Sequence, residues 1–119
     1  MRRHREDTFT RGDTWIINGK LFDNLGAPLP LPDDVDTLVE WALLDDNRIT
    51  VASCTSGTLG GITITDRING FIQIAVPKAS TAVINPGDYF DALRATLGSQ
   101  SFTMWVGPLT VEDSPFGGN

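Results

Sequence analysis

The sequence is poor in the residue types that build catalytic and metal sites, with one cysteine and one histidine in 119 residues. Cys54 alone cannot form an internal disulfide, which excludes the disulfide-pinned immunoglobulin domain of secreted proteins and indicates synthesis in a reducing compartment. His4 lies in a basic head, so neither a Ser-His-Asp triad nor a histidine-bearing zinc site can be assembled on a rigid element. We therefore expect no enzymatic activity, no cofactor and no metal.

Long apolar runs and an excess of basic residues are also missing. No run approaches the roughly 20 residues that cross a bilayer. The nine Lys and Arg face 15 Asp and Glu, a net charge of -6, which argues against nucleic acid as a ligand because phosphate binding requires clustered basic residues. The basic head is followed by Glu6, where a signal peptide would need an apolar stretch, so we expect neither ordinary secretion nor a membrane partner.

Between Arg11 and Val111 the sequence has short apolar runs of strand length, each closed by Gly, Pro, Asn or Asp. This pattern predicts an all-β fold, an immunoglobulin-like antiparallel β-sandwich of about seven strands without a disulfide. We predict one domain at 11–113, a flexible basic tail at 1–10 and a frayed tail at 114–119. The predicted strands are 14–22, 39–44, 48–53, 62–64, 72–76, 89–97 and 102–111, with one helical turn within 78–84.

Alternation of apolar and polar residues predicts which side chains face the core. Asp91 falls on the same face as Leu93, so either a bulge turns it outward or it is hydrogen-bonded. Tyr89 is typical of a tyrosine corner, whose hydroxyl binds the backbone of the preceding turn. Gly107-Pro108 predicts a bulge in the last strand. The predicted core residues are Trp15, Ile17, Val39, Trp41, Leu43, Ile49, Val51, Ile62, Ile64, Ile72, Ile74, Val76, Leu93 and Met104.

Trp105 is the aromatic residue that departs from this alternation. It shares its face with Thr103 rather than with the apolar side chains, so we expect it to point outward and anchor a partner. The basic head could reach an acidic turn at Asp33-Asp34 of a neighbouring copy. The remaining candidate interface residues are therefore Arg2, Arg3 and Arg5.

Two short motifs have a functional and a structural interpretation. Asp33-Asp34-Val35-Asp36 could supply oxygen ligands to calcium, but it has neither the glycine of the sharp turn nor a bidentate Glu. Arg11-Gly12-Asp13 spells an adhesion tripeptide, but adhesion would need a protruding loop in an exported protein, and three residues carry little information. We interpret the first as a solvated acidic turn and the second as a coincidence.

A set of turn and strand motifs runs through most of the body of the chain, in the order Arg11-Gly12-Asp13-Thr14, Leu21-Phe22-Asp23-Asn24-Leu25-Gly26-Ala27-Pro28 with Leu31, Ile64-Thr65-Asp66, Asn69-Gly70, Ile72, Ile74, Pro77 and Pro86-Gly87-Asp88-Tyr89. In this order they resemble the amino-terminal domain family of phage upper baseplate proteins. Members of that family are β-sandwich modules that fix receptor-binding parts to a phage tail or baseplate. The resemblance implies a virion component made in the bacterial host cytoplasm.

This resemblance also implies the partners, which would be other phage structural proteins. The open strand edges of a sandwich and the basic head facing an acidic body suggest a homo-oligomer as a further option. Because no coiled coil or receptor-binding module follows the domain, we expect a connector or tail-associated role rather than direct host recognition. The sequence-based prediction is thus a non-enzymatic structural or adaptor protein of a phage or prophage, acting through protein-protein contacts.

Two alternatives remain open, a carbohydrate-binding β-sandwich module that uses exposed aromatic residues and an accessory domain of an enzyme. A groove with two or more solvent-facing aromatic side chains would favour sugar binding. A flat apolar patch would favour assembly with another protein surface.

Overall fold

The structure is a computed structural model that describes residues 8–33 and 36–115. It consists mostly of strands with one short helix, so the predicted all-β class is confirmed. In chain order the elements are β1 (Thr8–Thr10), β2 (Trp15–Lys20), β3 (Thr37–Leu44), β4 (Thr50–Thr55), β5 (Ile62–Asp66), β6 (Phe71–Val76), α1 (Lys78–Thr81), β7 (Gly87–Leu97) and β8 (Gln100–Glu112).

The strands form two sheets. One has five strands in the order β1-β8-β7-β3-β4, and the other has three in the order β2-β6-β5. Neighbouring strands pair antiparallel, except that β1 runs parallel to β8. The predicted sandwich was antiparallel throughout, and this first strand is the difference.

The strand β1 lies inside the segment predicted as a flexible tail, so that prediction is wrong for Thr8–Thr10. These residues pair with the strand β8, with Thr8 opposite Thr110, and the Arg11 N–H continues the pairing by donating to the carbonyl of Glu112 at 2.8 Å. The edge of β8 thus receives the ladder hydrogen bonds that an open sheet edge lacks. Residues 1–7, with Arg2, Arg3 and Arg5, and residues 116–119 lie outside the described residues.

The two sheets pack against each other across one shared core. The predicted core is confirmed for the residues in β2, β3, β6 and β7, and Ile62 of β5 is buried too. Ile64 and Met104 are partly buried and pack against this core. Among the described residues the fully buried large side chains are Trp15, Trp41, Leu21, Leu31, Leu43, Ile72, Ile74, Leu93, Leu109, Val39, Val76 and Val111.

The register of β4 differs from the prediction by one residue. Ile49 and Val51 are 59% and 37% exposed, so their predicted burial is wrong. Cys54 pairs with Trp41 and shares its inward face, while a register shift leaves Val51 unpaired as the bulged residue of this edge strand. This pairing places Ala52 and Cys54 inward, whereas Thr50, beyond the bulge, lies opposite the outward-facing Leu44. Ile49 lies in the turn before β4.

The register of β8 changes at Met104. Leu93 is opposite Trp105 while Arg94 is opposite Thr103, so Met104 is the extra residue of a bulge. Before the bulge the inward positions of β8 are even, and after it they are odd. The predicted bulge at Gly107-Pro108 is wrong, because both residues pair regularly with β7.

The turn before β7 has the predicted tyrosine hydrogen bond. The Tyr89 hydroxyl donates to the carbonyl oxygen of Asn85, four residues upstream, at 2.6 Å. Burial, followed by the negative charges of Asp45 and Asp46, raises the pKa of Tyr89. The hydroxyl therefore stays protonated and able to donate at neutral pH.

The adhesion-like tripeptide forms the turn between β1 and β2. The Arg11 side chain donates to the carbonyl of Ala82 at 2.9 Å, and Gly12 is buried with a positive φ of 85°. The carbonyl of Asp13 accepts a hydrogen bond from the buried Thr81 hydroxyl at 2.6 Å. These contacts give the motif a structural task, which is to tie the helix α1 to the first turn.

Candidate functional site

The indole of Trp105 lies in the core, so the prediction that it points outward is wrong. The side chain is 3% exposed, because the bulge at Met104 reverses the inward and outward positions of β8. A buried side chain offers no anchor to a partner. The residues around Met104 contain no local sign of this bulge, since an extra residue in a strand is defined only by the strand that pairs with it.

Trp105 instead takes part in a buried polar contact with Asp91. The Trp41 and Trp105 indole nitrogens both donate to Oδ2 of Asp91, at 2.9 and 3.1 Å. Asp91 is fully buried, and burying a carboxyl group is costly unless it is hydrogen-bonded. Of the two predicted outcomes for Asp91, the structure has the hydrogen-bonded one.

The opposite sheet leaves room for the ring of Trp105. Gly19 of β2 faces it, and a Cβ atom at this position would lie 3.0 Å from two atoms of the indole ring. The close approach of strand and ring requires a residue without a side chain. Trp105 thus fixes the distance between the sheets at this end of the core.

The lone thiol is structural. Cys54 is buried, its Sγ lies 3.8 Å from the carbonyl oxygen of Ala75, and burial raises its pKa. A thiol with a raised pKa is protonated at neutral pH and is a poor nucleophile. This agrees with the sequence-based interpretation of Cys54 as a small strand-end residue.

The outer face of the five-stranded sheet carries a continuous apolar surface, which we name the outer patch. Phe90 and Val106 are 48% and 53% exposed. In the strand register, Leu44, Phe90 and Pro108 lie side by side in one row across β3, β7 and β8. Ala42, Ala92 and Val106 form the next row. The outer patch consists of Ala42, Leu44, Phe90, Ala92, Val106 and Pro108.

Small side chains make part of this face concave. The lining of a shallow depression of about 500 Å³ includes the small side chains of Ala42, Ser53 and Ala92, together with Val106. At its far side Arg94 donates to Oε1 of Glu40 at 2.8 Å. The outer patch therefore has a large side chain, Phe90, next to a hollow.

The outer face of the three-stranded sheet mixes polar side chains with Ile16, which is 47% exposed. The Gln73 amide donates to Oδ1 of Asn18 at 3.2 Å across the strands, and Thr63 stands opposite Gln73 in the register. The Lys20 ammonium lies 5.0 Å from the centre of the Phe71 ring in a cation–π contact, and Phe71 remains 40% exposed. This face resembles an ordinary solvated surface.

A groove beside these sheets is another concave surface. It has a volume of about 670 Å³, and its lining includes Phe22, Phe102, Lys20, Asp23 and Asn24. Both phenylalanines are half-buried. The groove therefore combines two partly exposed aromatic rings with charged and amide groups.

The acidic segment that was weighed as a calcium site takes part in local contacts. Asp33 forms an ion pair with Arg67 at 3.5 Å, the carbonyl of Asp36 accepts from the Gly98 N–H, and Asp34 lies outside the described residues. In residues 8–33 and 36–115, no group of three or more acidic, cysteine or histidine side chains is placed to hold a metal ion. Within the same residues, the short helix is far from the length and hydrophobicity of a membrane span.

The part of the outer patch that lies on β3 has a signal in the sequence. Residues 41–44 are apolar without interruption, and a run of this kind is typical of a strand covered on both faces. Comparison with known proteins adds no assignment, since no protein-family model matches this chain and no curated protein is significantly similar to it.

Proposed function

We propose that this chain is a non-enzymatic structural or adaptor protein of a phage or prophage tail or baseplate, and that the outer patch is its docking surface. The observation that carries the proposal is the continuous apolar surface on the five-stranded sheet, with Phe90 and Val106 about half exposed. Contiguous apolar surface of this kind in a small domain is typical of a protein-protein interface. The phage assignment itself rests on the sequence motifs that resemble the baseplate family.

We further propose that the fold is an immunoglobulin-like sandwich. The strand orders β1-β8-β7-β3-β4 and β2-β6-β5 support it, because they correspond to the two sheets of a variable-type domain. Trp41 on β3 and the Tyr89 hydrogen bond at the start of β7 have equivalents in that fold. Asp91 follows Tyr89 by two residues, where an antibody domain would place its second disulfide cysteine.

The test is incorporation into particles. In the phage or lysogen that encodes the chain, virions purified on a density gradient should contain it at a fixed copy number by quantitative mass spectrometry. Val106→Asp, which places a charge on the outer patch, should abolish incorporation while the isolated variant keeps its fold by circular dichroism. Thr63→Asp on the outer face of the three-stranded sheet is the matched control and should be incorporated normally.

Either of two results would overturn this proposal. Wild-type virions that lack the chain would remove the structural role. Normal incorporation of Val106→Asp would remove the outer patch as the docking surface.

The groove supports a second candidate function, carbohydrate binding. Phe22 and Phe102 could stack on a sugar ring, while Asp23 and Asn24 offer hydrogen-bond partners. Glycan-array screening of the wild type and of Phe102→Ala decides this alternative. Binding that the substitution abolishes would favour a carbohydrate-binding module, and an array without any bound glycan would count against it.

A further inference from the structure

The outward-facing residues of β7 follow an order that is complementary to its own reverse. Asp88, Phe90, Ala92 and Arg94 lie on the outer face at successive two-residue steps. Their sequence is acidic, large apolar, small apolar, basic. Read backwards, each position meets its complement, since an acidic group faces a basic one and a large side chain faces a small one.

We propose that the outer patch binds a second copy of this chain, with the two β7 strands crossing face to face in opposite directions about a two-fold axis. This inference rests on the proposed docking function and names its partner. The axis crosses the strands between the row of Phe90 and the row of Ala92. It places Phe90 of each copy over Ala92 of the other, and Arg94 of each copy over Asp88 of the other.

The shape of the patch suits this arrangement. Phe90 is a projecting side chain, and the hollow lined by Ala42, Ser53 and Ala92 lies one row away. In a two-fold contact, a side chain of the first copy that enters a hollow of the second is accompanied by the same side chain of the second copy in the hollow of the first. One patch therefore supplies both halves of the interface. A different partner would need a separate surface with this order of charge and size.

The charges suit it as well. The chain carries a net charge of -6, so two copies repel at long range, and specific opposite charges are needed to offset that repulsion. The contact between Arg94 and Asp88 occurs twice in the pair. Glu40 remains hydrogen-bonded to Arg94 within each copy, and Asp88 accepts a hydrogen bond of 3.3 Å from Thr110.

The size of the patch sets the expected strength. From Asp88 to Arg94 the strand is about 20 Å long, and the four neighbouring strands β4, β3, β7 and β8 are together about 19 Å wide. The contact face of each copy therefore has an area of about 400 Å². The two copies together then bury about 800 Å², below the roughly 1,200 Å² of a stable interface. We therefore expect a weak dimer that is strengthened when many copies are held in one assembly.

Charge reversal at the two ends of the row gives the test. Asp88→Arg alone brings two arginines together at each contact, and Arg94→Asp alone brings two aspartates together, so each variant should dimerise at least about tenfold more weakly than the wild type. In an equimolar mixture, the arginine introduced in the first variant faces the aspartate introduced in the second. The native contact between Arg94 and Asp88 forms at the other end of the same pair, so the mixture should dimerise like the wild type. Sedimentation velocity between about 10 µM and 1 mM measures all three samples.

Two controls separate the interface from the fold. Glu40→Gln removes the ion pair within the sheet and leaves both contacts across the axis intact, so it should dimerise at least as strongly as the wild type. Thr63→Arg adds a charge to the other sheet and should leave association unchanged. Thermal melting of every variant verifies that it is folded.

The outcomes distinguish this inference from the function on which it rests. Recovery of dimerisation in the mixture alone supports the antiparallel β7 contact. Wild-type dimerisation in either single variant, or a mixture that stays monomeric while the wild type dimerises, overturns it. A wild type that remains monomeric at 1 mM also overturns the second copy as partner, while incorporation of the chain into virions would still support docking to another protein.

Discussion

The two sheets of this protein differ in where they place polar and apolar side chains. The five-stranded sheet has a buried carboxyl group on its inner face, at Asp91, and the apolar outer patch on its other face. The inner face of the three-stranded sheet is lined with aliphatic and aromatic side chains, while its outer face carries the bonded pair of Asn18 and Gln73. An ordinary solvated sheet resembles the second arrangement.

The difference shows which groups have their interaction partners within the single chain. Asp91 is costly to bury, but two indole N–H groups donate to it, so its burial is compensated. The outer patch has no comparable cover among the described residues. Burying its apolar area would lower the free energy, and this requires another surface to exclude water from it.

The largest effect should come from removing the aromatic side chain beneath the five-stranded sheet. Trp41→Ala deletes a fully buried indole and one of the hydrogen bonds to Asp91, so we expect a loss of about 3–5 kcal/mol in the free energy of unfolding. Urea unfolding followed by circular dichroism measures it. An unchanged midpoint would contradict a central position of Trp41 in the core.

The second effect tests the buried carboxyl group of Asp91 itself. Asp91→Leu leaves the indole N–H groups of Trp41 and Trp105 without this acceptor, at about 1–3 kcal/mol each. Burial of the apolar leucine side chain offsets part of this cost, so we expect about 2–4 kcal/mol of destabilisation in total. Asp91→Asn is the matched control, since its amide oxygen can still accept from both indoles. Equal losses in the two variants would show that the carboxyl group, rather than the acceptor oxygen, is what the site requires.

The third prediction exchanges an apolar and a polar side chain between the outer faces of the two sheets. Val106→Thr on the outer patch and Thr63→Val on the three-stranded sheet are similar in size, and each should change stability by less than about 0.5 kcal/mol. Retention on a hydrophobic-interaction column should fall for the first variant and rise for the second. Equal shifts in the same direction would mean that Val106 is not part of an accessible apolar surface.

The last effect concerns a single hydrogen bond at the start of β7. The folded pKa of Tyr89 lies above its ordinary value of 10.0, so its protonated hydroxyl stabilises the fold fully below pH 10, and this contribution is lost as the pH rises through the folded pKa. Tyr89→Phe should cost about 0.5–1.5 kcal/mol at pH 7 by removing the bond to Asn85. Urea unfolding from pH 7 to 11 should show the gap closing, and a constant gap would argue against this titration.

Much of the core was predictable because most strands alternate regularly. Trp15 and Ile17 in β2, and Ile72 and Ile74 in β6, occupy the buried positions that a period of two assigns to them. The hydroxyl contact of Tyr89 was predictable for a different reason, since it joins residues only four apart. Such features depend on local sequence alone.

The candidate site was not predicted. Its sequence candidate, Trp105, is buried, and the surface that replaces it draws side chains from β3, β7 and β8. Uninterrupted apolar residues at 41–44 indicated a second covered face, but they carried no information on which strands would lie beside them. A patch that crosses several strands can be recognised only when the order of strands in the sheet is known.

The sequence by itself therefore determined the all-β class, the turns and the inward face of the regular strands, because these follow from residue type and two-residue periodicity. Only the tertiary structure decided the bulges at Val51 and Met104, the parallel pairing of β1 and the neighbours of Asp91. Each of these depends on a partner strand distant in the chain. A single unpaired residue there reverses every later side chain, and no local pattern encodes which residue it will be.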